Sequence, residues 1–236
     1  MKVVILAGGM GLRLSEYTQK IPKPMIKVGY KPIIEHIIDI YSAYKLTDFI
    51  IAGGYKHKII KKYFKNKKKN NLNIQVVDTG LNTLTGLRIK KLEKYLNKNT
   101  FLLTYGDGLA NIKIDKLIKF HKKNKKIVTM TAVHPPARFG ELTFNKHHIK
   151  TFEEKPQLQK GWINGGFFVM SPNIFKIISN KNLMFEREPI KKLVKIKQIS
   201  AYPHKGFWAC MDTKRDKDFL DDLAKLGQPP WLSFTK

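Results

Sequence analysis

Along the first 133 residues, apolar runs of strand length alternate with amphipathic segments of helix length, and this alternation restricts the fold more than any other feature. The strand-like runs are KVVIL, DFIIAGG, NIQVVDTG, FLLTYGDG and KIVTMTAVH. Between them lie PIIEHIIDIYSAYK, HKIIKKYFK, LRIKKLEKYL and IDKLIKFHKK, whose apolar residues recur at helical spacing. In the first of these, Ile33, Ile34, Ile37, Ile38, Tyr41 and Tyr44 form one face, and Pro32 suits the first turn. Strands separated in this way pair in parallel through right-handed crossovers. The expectation is an α/β fold with a mostly parallel sheet flanked by helices. Beyond residue 135 the runs shorten to GELTFN, IKTFEE and INGGFFVM. The helices SPNIFKIIS and EREPIKKLVK, the strand KQISAYPH and the helix KRDKDFLDDLAKL follow. No repeat or low-complexity linker divides the chain, so a single domain over 1–236 is expected.

Ligands of such sheets sit outside the carboxyl ends of the strands. The segments there are GGMGLR, DTG and GDG, with EEKP, NGG and MDT in the second half. Gly8, Gly9 and Gly11 suit close approach of main-chain N–H groups to a phosphate. They match neither the P-loop nor the G-x-G-x-x-G spacing, so the glycine turn alone does not identify a ligand. Lys23 stands between Pro22 and Pro24, where backbone freedom is small. Carboxylates gathered beside a phosphate site call for a divalent cation between them. The constellation points to phosphoryl or nucleotidyl transfer.

The chain carries 45 Lys+Arg against 18 Asp+Glu, a formal charge of +27. Only Arg13, Arg88, Arg138, Arg187 and Arg215 are arginines, whereas nucleic-acid readers lean on arginine. The lysines, densest over residues 58–69, read as solvated helix faces that favour anionic small molecules, with no specific nucleic acid as partner. The single cysteine, Cys210, excludes a disulfide framework and fits a reducing compartment. The first apolar run is broken by Gly8 and Gly9, too early for a signal peptide or membrane span. A soluble cytoplasmic protein without a membrane partner is expected. No Ser or Cys nucleophile has a recognisable His and carboxylate pair, and His147–His148 read as a solvated hairpin turn.

LAGG-x-G-x-R-L, P-K-P-M, Y-G-D-G, F-E-E-K-P, N-G-G-F-F and G-F-W-x-x-M-D-T occur in this order. With them the chain resembles the sugar-1-phosphate nucleotidyltransferases from Met1 to about Trp231. TGLRIKKL, PPARFGEL, INGGFFV and MDTKRD are similar to the glucose-1-phosphate cytidylyl branch. The resemblance implies a Rossmann-like, GT-A-like nucleotidyltransferase fold, with nucleotide bound by 1–134 and sugar phosphate by 135–236. It implies CTP and a sugar 1-phosphate as substrates and Mg²⁺ as cofactor, held by Asp107 and Asp212. Arg13 and Lys23 would be the catalytic cations. Leu6, Ala7, Gly8, Gly9, Gly11, Thr85, Gly86, Arg88 and Asp107 would bind nucleotide, with Arg88 donating to the base. Gly140, Glu154, Lys155, Asn164 and Gly165 would bind the sugar phosphate.

Other readings of these residues stay open. Asp212 could cap the last helix, Arg88 could lie on an exposed helix face, and Trp208 reads as core packing or as part of the sugar-site wall, core packing being favoured. Glu186 and Glu188 could contact either substrate or a second subunit. Two departures from the family pattern stand out. Leu12 replaces the threonine of G-T-R, and only KNKKKNNLNIQ remains where the cytidylyl branch carries a long insertion. That insertion is associated with nucleotide binding across the subunits of a hexamer. A dimer is therefore expected here, with an apolar patch around Phe175, Ile177 and Leu193 able to pair two copies. UTP or dTTP, another phosphorylated sugar or alcohol, and a non-catalytic sugar-nucleotide binder remain the alternatives.

Overall fold

The computed structural model describes residues 1–67, 71–135, 140–153 and 161–233. Seven strands form the central sheet: β1 (Val3–Ala7), β2 (Asp48–Gly53), β3 (Asn73–Asp78), β4 (Phe101–Tyr105), β5 (Val128–Val133), β6 (Ile163–Met170) and β7 (Ile199–His204). Their spatial order is β7-β5-β6-β4-β1-β2-β3. β1 pairs in parallel with β2 and β4, β2 with β3, and β5 with β7. β6 alone runs antiparallel, to both β4 and β5. It follows a hairpin, Glu141–Asn145 against His148–Glu153, and among the described residues no helical crossover turns it into line with its neighbours.

β1 is an interior strand between β4 and β2, and its five residues are all buried. Successive strand side chains point to opposite faces. Val3, Ile5 and Ala7 therefore enter one core, with Ile33, Ile37, Leu117, Leu220 and Trp231. Val4 and Leu6 enter the other, with Ile89, Leu96, Phe175, Phe185 and Leu193. The doubly covered sheet is why its strands read as continuous apolar runs and not as alternating ones.

Three sequence expectations are corrected. The segment LRIKKLEKYL is two short helices, Thr85–Lys90 and Glu93–Leu96, with Leu92 outside helical geometry between them. Just before the break, Lys90 Nζ donates to the Phe175 carbonyl and Lys91 Nζ to the Thr79 carbonyl, tying the segment to two flanks. Only Ile174–Ile177 of SPNIFKIIS is helical. Phe175 and Leu193 are core residues, so no docking patch exists at that point. Exposed apolar surface lies instead on the hairpin, at Leu142, Phe144, Ile149 and Phe152. Among the described residues, no helix is long and apolar enough to cross a membrane.

The end of the described chain is fastened to the first long helix, Ile33–Ser42. Trp231 is fully buried, and its Nε1 donates to His36 Nδ1 at 3.1 Å. His36 Nε2 then donates to the Val28 carbonyl at 2.9 Å, which requires the neutral ring. Burial lowers the His36 pKa to about 4; Lys31 acts in the same direction, against the Val28 bond, Asp39 and Glu35. The unfolded chain therefore binds a proton in a window where the folded one does not. Stability should fall by roughly 3 kcal/mol as pH drops from about 6.5 to about 4, then level off. His121 and His204 are lowered by burial as well, so the diagnostic is a variant. His36→Gln should flatten part of the pH dependence in denaturant unfolding; an unchanged slope would remove His36 from this role.

Candidate active site

In this strand order the direction of winding reverses between β1 and β4, so a crevice opens at their carboxyl ends. A cleft of about 1210 Å³ lies there, its walls drawn from both halves of the chain. Leu6, Ala7, Gly8, Gly9, Gly11, Arg13 and Lys23 line it from the first half, with Thr85, Arg88 and Asp107. Asn164, Trp208 and Asp212 line it from the second half.

The glycine turn is shaped by what lies behind it. A Cβ on Gly8 would stand 2.0 Å from Arg88 Nη1, so only glycine lets the turn close over that guanidinium. Gly11 has φ 65°, a left-handed conformation that starts the short turn Leu12–Leu14. Arg88 is buried, and all four Nη hydrogens are committed to the chain. Nη1 donates to the Gly53 carbonyl at 2.7 Å and to Thr79 Oγ1. Nη2 donates to the Thr83 carbonyl at 2.6 Å and the Gly8 carbonyl at 3.3 Å. This corrects two readings: Arg88 is not on an exposed helix face, and its Nη donors are not available to a base. It ties the ends of β1 and β2 to the loop after β3.

Lys23 follows extended Pro22 and opens the turn Lys23–Met25. Its Nζ lies 2.5 Å from Asp107 Oδ2 and 2.7 Å from Asp212 Oδ1. Arg13, two-thirds exposed, places Nη2 3.1 Å from Asp212 Oδ2. Asp107 and Asp212 meet because Gly108–Ala110 and Trp208–Cys210 pair as antiparallel strands, with Met211 N donating to the Asp107 carbonyl at 2.9 Å. Asp212 does not cap the following helix. Thr213 does, in a capping box with Asp216, whose carboxylate also accepts from Asp212 N.

Burial works against charge at Lys23, but Asp107 and then Asp212 outweigh it and raise the ammonium above its ordinary pKa. Burial likewise opposes ionisation of Asp212, yet Lys23 and Arg13 hold its carboxyl below the usual range. The neighbouring Cys210 thiol is pushed up to about 12 by burial and then by Asp212 and Asp107, so it is no nucleophile. Two hard carboxylate oxygens converging on one cation position suit a divalent ion that takes its remaining ligands from phosphates. Among the described residues, no group of three or more acidic, His or Cys side chains could complete such a shell.

At the other end of the cleft a chain of side chains crosses between the halves. Thr85 Oγ1 donates to Glu186 Oε2 at 2.5 Å, and Tyr105 Oη to Glu186 Oε1 at 2.6 Å. Asn164 Nδ2 donates to Tyr105 Oη at 3.0 Å, and Asn164 Oδ1 accepts from Gly166 N at 2.9 Å. Trp208 is half-buried, lining the cleft while its Nε1 donates to the Gly165 carbonyl at 2.8 Å, so it is wall as well as packing. Gly86 is buried with its N–H on the Leu183 carbonyl, outside the cleft lining. Gly140 precedes the hairpin and is not among the lining residues either. Glu154 and Lys155 lie outside the described residues. The sequence reading missed Tyr105, although its place at the end of an apolar strand beside Asp107 was a usable signal.

The nucleotidyl transferase family profile matches residues 2–224. The glucose-1-phosphate cytidylyltransferase of Salmonella typhimurium is 42% identical over 256 aligned positions, covering 99% of this chain and all of that protein. A Bacillus subtilis protein named "Probable glucose-1-phosphate cytidylyltransferase" is 41% identical, covering 98% of this chain and 99% of the other. The crystal structure of UDP-glucose pyrophosphorylase complexed with UDP-glucose superposes with a TM-score of 0.75 at 17% identity, covering 96% of this chain and 99% of that one; this is a likeness of fold. The Salmonella alignment is longer than the 236-residue chain, so that relative carries positions this chain lacks.

The two roles open to Arg88 make opposite forecasts for the ligand-free protein. Arg88→Met keeps the bulk but takes a donor from the Thr83 carbonyl and from Thr79 Oγ1, while the Gly53 and Gly8 carbonyls keep Thr79 N and Tyr55 N. Unfolding free energy should drop by about 2–4 kcal/mol, given the cost of unpaired buried polar groups. An unchanged denaturation midpoint would return Arg88 to the role of a ligand donor.

Proposed function

The chain belongs to the nucleotidyl transferase family, and on that premise we propose that it joins CTP and α-D-glucose 1-phosphate, giving CDP-glucose and pyrophosphate. The observation that carries this reading is the cluster of Lys23, Asp107 and Asp212 beside the glycine turn. The choice of CTP and glucose 1-phosphate is supported by the printed names of the relatives at 42% and 41% identity.

In this reading an oxygen of the sugar phosphate attacks the α-phosphorus of CTP in line with the leaving group. A new P–O bond forms, the bond from the α-phosphorus to the bridging oxygen breaks, and pyrophosphate leaves with the electron pair. A phosphate monoester is already ionised near neutral pH, so no general base is needed. Gly8, Gly9 and Gly11 bring main-chain N–H groups to the phosphates, and Arg13 can leave Asp212 for the departing pyrophosphate. Lys23 stabilises charge that builds up at the reacting centre. Mg²⁺, held by Asp107 and Asp212, would neutralise phosphate charge when bound. Leu6, Ala7 and the loop ending at Thr85 face the nucleoside. With Arg88 committed elsewhere, main-chain groups supply the donors and acceptors that cytosine needs. Asn164 faces the sugar, with Gly165 buried behind it outside the cleft lining and Glu154 and Lys155 assigned to the same end.

We also assign a cytoplasmic setting and an assembly smaller than a hexamer, since segments present in the Salmonella relative are missing here. Light scattering at moderate salt should give a dimer, and a stable hexamer would show that those segments are dispensable for assembly.

The decisive experiment is a grid of nucleoside triphosphates against sugar 1-phosphates, read as pyrophosphate release. CTP with glucose 1-phosphate should give the highest kcat/KM; preference for UTP or dTTP would move the base assignment and leave the chemistry in place. Binding of CDP-glucose with no pyrophosphate release in any cell of the grid would leave a non-catalytic binder. Asp107→Asn and Asp212→Asn should each lower kcat by about two orders of magnitude or more, the scale of lost transition-state electrostatics. Near-normal kcat at limiting Mg²⁺ would remove that residue from the metal site. Lys23→Ala should depress kcat more than nucleotide affinity, and a pure affinity loss would move Lys23 away from the reacting centre.

A further inference from the structure

We propose that Glu186 is a positioning residue that sets the hydrogen-bond polarity of the sugar end of the cleft through Tyr105 and Asn164. Glu186 does not line the cleft, whereas Thr85, Tyr105 and Asn164 do. Its two carboxylate oxygens are spoken for, one by Tyr105 Oη and the other by Thr85 Oγ1. Thr85 Oγ1 in turn accepts from Phe185 N at 2.8 Å, so the carboxylate is anchored by the residue next to it in sequence.

The polarity follows link by link. A carboxylate only accepts, so the Tyr105 hydroxyl must spend its one proton on Glu186. Its oxygen is then left as an acceptor and takes a hydrogen from Asn164 Nδ2. That contact, together with Gly166 N donating to Asn164 Oδ1, leaves the amide one orientation out of two. Among the described residues, Nδ2 has a single acceptor, so its second hydrogen remains for a ligand. A residue behind the wall thus makes Asn164 a donor toward the cleft. A ligand hydroxyl meeting it must accept there. Gly166 N holds Asn164 Oδ1 in place whatever stands at position 186, but a carboxamide there can donate to Tyr105 Oη and turn the Tyr105 proton toward Asn164 Nδ2, which removes the contact that steadies this donor.

The inference rests on the proposed placement of a sugar phosphate beside Asn164, and the test separates the two. Steady-state kinetics would be measured with the best triphosphate from the grid, using glucose 1-phosphate and its monodeoxy analogues. The wild-type enzyme should lose about tenfold or more in kcat/KM with the analogue lacking the hydroxyl that accepts from Asn164. Glu186→Gln should raise the sugar-phosphate KM by about tenfold, leave the triphosphate KM within about twofold, and no longer discriminate against that analogue. Tyr105→Phe removes a single oxygen and should do the same. The double variant should be no worse than either single one, because both cut one relay. If Glu186→Gln does not fold, Tyr105→Phe decides alone.

Asn164→Ala separates the layers. If it raises the sugar-phosphate KM while Glu186→Gln and Tyr105→Phe keep wild-type KM and discrimination, the relay is wrong and the sugar placement stands. If Asn164→Ala leaves that KM unchanged, both fall. Equal rises in both substrates' KM for Glu186→Gln would indicate general loosening and overturn the proposal.

Discussion

Two carboxylates, Asp107 and Asp212, face one ammonium, Lys23, at the mouth of a mostly parallel sheet. The surrounding architecture serves to hold those three groups together. Like charges this close are tolerable only with a cation between them, and the cation must be positioned before any ligand arrives. Pro22 and Pro24 restrict the backbone on either side of Lys23. The end of β4 delivers Asp107, and a pair of three-residue strands delivers Asp212 from late in the chain. The helix cap that follows is made by Thr213 and Asp216, which leaves the Asp212 side chain to the site.

Periodicity made the sheet and its flanking helices legible because each strand is buried on both faces and each helix on one. Where an element is too short to have a period, that signal vanishes. Gly108–Ala110 and Trp208–Cys210 have three residues each, and nothing in their composition marks them as partners. Yet their pairing decides the geometry of the site. The break within LRIKKLEKYL was illegible for a different reason. Ile89, Leu92 and Leu96 keep helical spacing across it, and the turn at Leu92 comes from contacts with other parts of the fold.

Site residues were legible where their chemistry is local and illegible where it depends on partners. The glycines, Lys23 and Asp107 stand at strand ends in the sequence itself. Arg88 looked like a surface cation or a base donor because an arginine rarely goes inside without a carboxylate. Here carbonyls at three strand and loop ends, with one threonine hydroxyl, take that place. Phe175 and Leu193 failed in the opposite sense: short helices suggested a surface patch, but both side chains close the second core.

The antiparallel strand explains how the two halves come to share one cleft. A parallel strand offers the ligand edge of a sheet only its carboxyl end, and the residues after it. β6 runs the other way beside β4, with Phe167 opposite Thr104, so it is the beginning of β6 that reaches the end of β4. Asn164, Gly165 and Gly166 therefore arrive beside Tyr105, where a Cβ on Gly166 would stand 2.7 Å from the Tyr105 ring, so only glycine fits. A parallel β6 would bring Met170 to this edge in place of Asn164, closing the cleft with an apolar side chain. One reversed strand thus brings residues of both halves of the chain to a single cleft. Among the described residues, the connection that precedes the reversed strand contains the hairpin over residues 141–153 where the other strands are joined through helices.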